Sequence, residues 1–186
     1  MRSAYHHGDL RRALVEHSVA LVREHGVDGF SLRAAARAAG VDPAAVYRHF
    51  DDRDDLMRAV AAAGFADLAA RMRTGADAAQ GAAARFVATG TAYVRFAVAQ
   101  PEYFSVMFGR HGADAPGAGA RALLLATLTD LAAERPLALD VEAAAVVAWA
   151  AVHGLATLAV AGAVPPDGLD DALDGVTGTV LAGLLR

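Results

Sequence analysis

Ser31-Leu32-Arg33-Ala34-Ala35-Ala36-Arg37-Ala38-Ala39-Gly40-Val41-Asp42-Pro43-Ala44-Ala45-Val46-Tyr47-Arg48-His49-Phe50 is the stretch on which the fold turns. Ser31 is a good N-cap for a short helix over 32–39. Gly40 supplies the left-handed position that stops that helix. Asp42 followed by Pro43 is a second cap, with proline at the first helical position, and opens a helix running to about residue 50. Two short helices joined by the tight Ala39-Gly40-Val41 turn make a helix-turn-helix. That motif needs a small residue where the helices cross, a glycine in the turn and apolar residues beneath the second helix. Ala36, Gly40 and Val46 stand at those places, with Leu32, Ala35, Val41 and Phe50 as neighbouring core and Phe30 and Leu56 closing it from either side.

Outward from this motif the chain reads as helices separated by glycine and proline stops. Asp9 caps a first helix over 9–25, with Leu10, Leu14, His17 and Leu21 on one stripe, ended by Gly26 and Gly29. Asp52 caps a long fourth helix from 53 to about 73, broken at Gly75. Breaks at Pro101, at the loop 112–119, at Arg135-Pro136 and at Pro165-Pro166 leave helices over 78–100, 101–108, 118–134, 140–163 and 167–185. The expected fold is all-α, with about nine helices in two domains: a helix-turn-helix domain over 1–60, with its second helix at about 43–50, and a helical domain over 61–186.

Composition agrees. Of 186 residues, 55% are hydrophobic and 20% charged, which suits compact domains. The 48 alanines favour helix, and a sheet enzyme is disfavoured. The net charge is −4, but residues 1–60 hold nine arginines against nine acids while the deficit falls entirely later. Every cation is an arginine, and cysteine is absent, which excludes disulfides and thiolate chemistry and suits a reducing cytoplasm. None of Ser3, Ser18, Ser31 and Ser105 lies in a nucleophile elbow, no histidine pair has metal-ligand spacing, and no phosphate loop appears. No catalytic residue, metal or cofactor is expected. Residues 1–9 are polar and show no secretory signal, so the chain is expected to be cytoplasmic. Residues 143–164 carry no charged residue apart from His153 and are long enough to cross a bilayer. Their alanine and glycine content, His153 and acidic flanks without arginine anchors favour a buried or interfacial helix, with no membrane partner.

The stretch quoted above, with Arg53 and Leu56, resembles the N-terminal DNA-binding domain of the TetR family of transcriptional repressors over residues 9–60. Tyr5-His6-His7-Gly8-Asp9-Leu10-Arg11 is similar to the start of one subgroup, and Trp149, His153 and Gly154 to the Trp-His-Gly signature of that subgroup's C-terminal domain. Two departures stand out: Arg53 replaces the family's usual lysine, keeping the charge, and Ala35 replaces its usual isoleucine, trimming the core. The resemblance implies a DNA-binding surface that includes Ser31, Arg33, Tyr47, His49 and Arg53, with Arg33 reaching a base and Tyr47, His49 and Arg53 clamping the backbone. Arginine suits a bidentate contact with guanine, and phenol, imidazole and guanidinium all donate to phosphate. Pro43, Ala44 and Ala45 allow close approach to the major groove and contact with thymine methyl groups. Arg48 either contacts phosphate or pairs with Asp51 or Asp52, and His6 and His7 could form an arm.

One helix-turn-helix reads a short half-site, so a homodimer on a palindromic double-stranded operator is expected. Ala150, Gly154, Thr157 and Ala161 form a small-residue stripe that permits close helix packing, and Leu169, Leu173, Val176, Val180 and Leu184 line the last helix; these are the expected dimerisation residues. Large apolar residues interrupted by polar groups suit a small-molecule pocket. Phe86, Tyr93, Phe96, Tyr103, Phe104, Met107, Phe108, Trp149 and His153 are the candidates for a mostly apolar effector that releases the DNA. The alternative is a helical ligand-binding or scaffolding dimer that has lost operator binding.

Overall fold

The computed structural model describes residues 7–112 and 117–185, with side chains from Leu10 onward. The expected cap Asp9 and the His6-His7 arm lie outside the described side chains. Among the described residues the chain is all-α: α1 (His7–Gly29), α2 (Leu32–Ala38), α3 (Pro43–Val46), α4 (Arg53–Ala78), α5 (Ala82–Ala99), α6 (Pro101–Met107), α7 (Ala118–Glu134), α8 (Val141–Val160) and α9 (Leu169–Leu184). A 3-10 turn, Pro166–Gly168, leads into α9, and among the described residues the one extended pairing is an isolated bridge between Leu137 and Leu185.

The local chemistry of the helix-turn-helix is as the sequence dictates. Ser31 Oγ accepts from the Ala34 amide at 3.2 Å, and Asp42 Oδ1 from that of Ala44 at 2.7 Å. Between them Gly40 takes φ +67°, and Val41 N donates to Ala36 O at 3.0 Å while Gly40 N donates to Arg37 O at 3.1 Å. This 6→1 and 5→2 pair satisfies the last carbonyls of α2 and fixes the angle at which α3 departs. The second helix is shorter than expected: α3 ends at Val46, and a tight turn through Arg48, His49 and Phe50, bonded back to Ala45 and Val46, completes it. Asp52 caps α4 by accepting from Asp55 N at 2.7 Å, and Asp55 reaches back to Asp51 N at 3.2 Å.

The chain divides into two compact units, residues 1–64 with 102–116, and residues 65–101 with 117–186. This differs from a cut at residue 60 because α6 belongs with the N-terminal helices. In the first unit Phe30, Leu32, Ala35, Ala36, Val46, Phe50 and Leu56 are buried, and the Arg11 guanidinium lies 4.6 Å from the centre of the Phe50 ring. On α1 the buried stripe is Leu10, Leu14, Val15, Ser18, Val19 and Val22, whereas His17 is exposed; the helix kinks at Gly26 and continues to Gly29. Arg23 on α1 forks onto Glu102 on α6 at 2.6 and 3.2 Å, and that hydrogen bond holds the Glu102 carboxyl below its usual range. α6 lies close against α4, where a Cβ on Gly64 would stand 2.5 Å from Met107 Sδ.

In the second unit α5 contacts α7, α8 and α9. Phe86, Leu128, Ala144, Ala145, Ala148 and Leu184 form its core, with Val180 and Leu181 packed against them. α4 runs on past Gly75 instead of breaking there. A Cβ at that position would lie 3.3 Å from the Ala88 carbonyl oxygen, so this glycine serves the approach of α4 to α5 and stops nothing.

Candidate functional site

The surface of the helix-turn-helix is built from residues that α2 and α3 leave outside their shared core. Ser31, Arg33, Arg37, Pro43, Ala44, Tyr47 and Arg48 are exposed, and His49 is half-buried. Tyr47 is 55% exposed, so it is a surface phenol and not a core tyrosine. Ala45 departs from expectation: it is buried beside Val46, on the side of α3 that rests on α2, and the small groove-facing residues reduce to Pro43 and Ala44. Among the described residues, the side chains of Arg33, Arg37 and Arg48 make no hydrogen bond or ion pair. Most other arginines do, including Arg23 with Glu102, Arg71 with Asp67, Arg85 with Asp130 and Arg95 with Asp170.

Arg53 is built differently. Its Nε donates to Phe30 O at 3.1 Å, one terminal nitrogen donates to Val27 O, and the other lies 3.4 Å from Asp54. These bonds tie the head of α4 to the corner between α1 and α2. Asp54 also stands 3.7 Å from Nδ1 of His111, a buried imidazole whose Nε2 accepts from Arg110 Nε at 2.9 Å. Burial pushes the His111 pKa down against the pull of Asp54.

Of the expected pocket residues, Tyr103, Phe104, Met107 and Phe108 belong to the first unit, and Phe86, Tyr93, Phe96, Trp149 and His153 to the second. Phe86 belongs to the core cluster, and Phe96 is buried with the Arg71 guanidinium 5.9 Å from its ring centre. Tyr93, Trp149 and His153 do meet. Trp149 Nε1–H donates to Tyr93 Oη at 3.3 Å, and Tyr93 Oη lies 2.8 Å from His153 Nδ1. Burial raises the Tyr93 phenol far above its usual range and lowers the His153 imidazole, so both are neutral at pH 7. A surface cavity of about 360 Å³ lies elsewhere in this unit, at Gly81, Ala82, Arg85, Asp130, Ala133 and Glu134, and none of the expected residues lines it.

α8 is long and apolar enough to cross a membrane, yet only 28% of its most apolar window is buried within the chain, so it is not an ordinary core helix. Val146, Val147, Trp149, Leu158 and Val160 stand exposed on it, between 39% and 63%, beside exposed Ala150, Gly154, Thr157 and Ala161. The expected face of α9 is corrected at Leu173 and Leu184. Leu173 and Leu184 are 2% exposed, while Leu169, Val176 and Val180 are half-buried, with Val180 against the core cluster. The outer face of α9 is instead Gly175, Gly178, Thr179, Ala182 and Gly183. An apolar stripe is the one a helix buries first, and here the subunit's own core takes it.

Residues 14–60 match the bacterial regulatory proteins of the tetR family, and residues 86–180 the tetracyclin repressor-like C-terminal domain. A solved protein of unknown function from Rhodococcus sp. RHA1 is 35% identical, covers all of both chains and superposes with a TM-score of 0.86. The chain belongs to the TetR family. Among other similar solved structures, the fatty acid degradation regulator FadR from Bacillus halodurans is 17% identical over 95% of this chain and 97% of its own, with a TM-score of 0.80. FadR from Bacillus subtilis, solved in complex with stearoyl-CoA, is 15% identical over 93% of this chain and 98% of its own, with a TM-score of 0.77. None of the curated proteins matches. This TetR-family chain thus has the DNA-binding helix-turn-helix and the helical C-terminal domain of a transcription regulator, the family being one of regulatory proteins.

Sequence reasoning overlooked two features of this TetR-family chain. Arg37 sits one turn beyond Arg33 on the same face of α2, a spacing visible in the sequence. Val147 and Leu158 on α8 had no such signal, because a helix without charges does not mark its outer side. For Arg53, replacement by alanine is expected to destabilise the first unit by about 2 kcal/mol, since two backbone carbonyls lose charged donors. The same variant is expected to leave the salt slope of DNA binding unchanged, and a slope reduced by about one unit would return Arg53 to the phosphate-contacting set.

Proposed function

We propose that this TetR-family chain is a repressor that binds a two-fold symmetric operator as a homodimer and is released by a small, mostly apolar effector. The observation that carries the reading is the exposed trio Arg33, Arg37 and Arg48, without partners among the described residues, around the small N-terminal residues of α3 and beside Tyr47. Cations left unpaired on one helix-turn-helix face, in a chain of net charge −4, are available to an external polyanion. Pro43 and Ala44 enter the groove, Arg33 reaches a base edge, and Tyr47, Arg48 and His49 hold the backbone. Two copies join through the outer faces of α8 and α9, which supplies the two-fold axis that a palindrome requires.

Fluorescence anisotropy on the protein's own upstream DNA, against scrambled DNA across a salt series, tests this. Tight, sequence-dependent binding with a steep salt slope is expected, whereas equal weak binding to both would leave a helical dimer without operator function. Arg48→Ala is expected to weaken all sequences alike and reduce the slope by about one unit, whereas Arg33→Ala costs about 1–3 kcal/mol of base discrimination. Equal losses on specific and scrambled DNA for Arg33→Ala would remove its base contact. The effector is expected to shift operator affinity by about 5–150-fold. A long-chain acyl-CoA is the natural first probe, given the apolar side chains of α5 and α8 and the ligand carried by the Bacillus subtilis regulator.

A further inference from the structure

Among the described residues of the first unit, Arg12, Arg23, Arg53, Arg58 and Arg110 each lie within ion-pair distance of a carboxylate. Arg11, Arg33, Arg37 and Arg48 pair with none and make no side-chain hydrogen bond. The last three stand on the helix-turn-helix, whereas Arg11 is exposed on α1. It is nonetheless held in place, with its guanidinium 4.6 Å from the centre of the Phe50 ring. Phe50 follows His49 in the turn that completes α3, and the amides of both donate to Val46 O, at 3.0 and 2.9 Å. The ring is 1% exposed and so forms a fixed part of the core beneath the guanidinium.

An aromatic face attracts a guanidinium without offering it an acceptor oxygen, so the N–H donors stay available to a further partner. Holding the side chain in advance also lowers the entropy cost of that later contact. Helix stability does not call for a cation here. Arg11 is the fifth residue of α1, near the positive end of the helix, where the macrodipole favours acids. Nor does a local counterion account for it, since Asp51 and Asp52 follow Phe50 directly and Arg11 pairs with neither. An ordered, exposed cation without a partner in its own unit fits an anion brought from outside.

We propose that Arg11 is a DNA-contacting residue on α1, presented by the Phe50 ring to a backbone phosphate of the half-site that α3 enters. The inference rests on the operator reading above and extends its contact surface from α2 and α3 to the first helix. Guanidinium and phosphate match as a bidentate pair, two parallel N–H donors meeting two oxygens. A phosphate contact carries no base information, so Arg11 adds affinity and fixes how α3 sits in the groove without choosing the sequence. Phe50 thereby serves two ends: it closes the core below the turn and aims a cation beside it.

The test is fluorescence anisotropy of the full chain on its upstream DNA and on scrambled DNA across a salt series, with circular dichroism of every protein. Arg11→Gln and Arg11→Met keep a side chain able to lie over the ring but remove the charge, whereas Arg11→Lys keeps the charge. The two neutral variants are expected to bind both DNAs about tenfold more weakly for each half-site and to lower the salt slope by about one unit for each half-site. Arg11→Lys is expected to retain the wild-type slope and to lose only part of the affinity, because an ammonium cannot form the bidentate pair. All three are expected to keep the wild-type helix content, since the residue is exposed.

A wild-type slope in both neutral variants, or a lysine variant whose slope is as low as theirs, would overturn the inference. A loss confined to the upstream DNA would also overturn it, by making the contact one to a base. Loss of helix content in both neutral variants would make Arg11 a structural residue and overturn it equally. Wild-type protein that binds both DNAs with equal weakness would overturn the operator reading and this inference together. Specific wild-type binding with a slope indifferent to the charge at residue 11 would strike Arg11 alone.

Discussion

Leu158→Asp is expected to yield a folded monomer whose dimer dissociation constant is about a thousandfold higher than that of the native chain. Leu158 is 52% exposed on α8 and belongs to none of the subunit's own core, so the substitution leaves folding intact. In a two-fold interface each change occurs twice. A well-placed interface residue contributes about 2 kcal/mol, which doubles to about 4 kcal/mol, or roughly three decades in affinity. Operator affinity is expected to fall with it, since a monomer holds only one half-site. Sedimentation equilibrium and circular dichroism check the two halves of the prediction. A variant that remains a tight dimer would move the subunit interface away from α8.

Phe50→Ala is expected to destabilise the first unit by about 3–5 kcal/mol, the range for truncating a buried phenylalanine. Phe50 is 1% exposed, follows the turn that completes α3, and carries the Arg11 guanidinium over its ring. Its loss opens a cavity beneath the residues that aim α3, and a deficit of this size is a large share of a domain's stability. Specific DNA binding is expected to vanish at low denaturant while the dimer persists, because α8 and α9, the proposed dimer helices, belong to the other unit. Urea titration followed by anisotropy and by sedimentation separates these outcomes. Loss of both functions at one urea concentration would mean that the two units unfold as one.

What could be read from the sequence was what local chemistry decides. Gly40, the caps Ser31 and Asp42, and the helix over 118–134 stand where short-range rules put them, because a left-handed glycine or a side-chain cap acts within a few residues. Packing over long distances obeyed no such rule. Gly75 reads as a stop, and only the approach of Ala88 on α5 shows why the helix runs through it. Arg53 reads as a free cation until Phe30 and Val27, more than twenty residues away, present their carbonyls. The candidate site divides in the same way. The exposure of Arg33, Tyr47 and Arg48 follows from the short motif, whereas the outward face of α8 depends on which sides α5, α7 and α9 cover. For α9 the apolar periodicity named the inward side, since one hydrophobic stripe cannot reveal whether its partner is the same chain or another.

The α4–α6 contact at Gly64 and the Arg23–Glu102 fork bear on modularity. A reading head cut out at residue 64 would sever α4 mid-helix and leave behind the helix that Gly64 and Arg23 grip. Chimeras that exchange DNA specificity between relatives therefore need a discontinuous graft, carrying α6 along with the first 64 residues. A simple end-to-end splice would join each head to a foreign α6, with a mismatched surface opposite Gly64 and an acid that its Arg23 does not find.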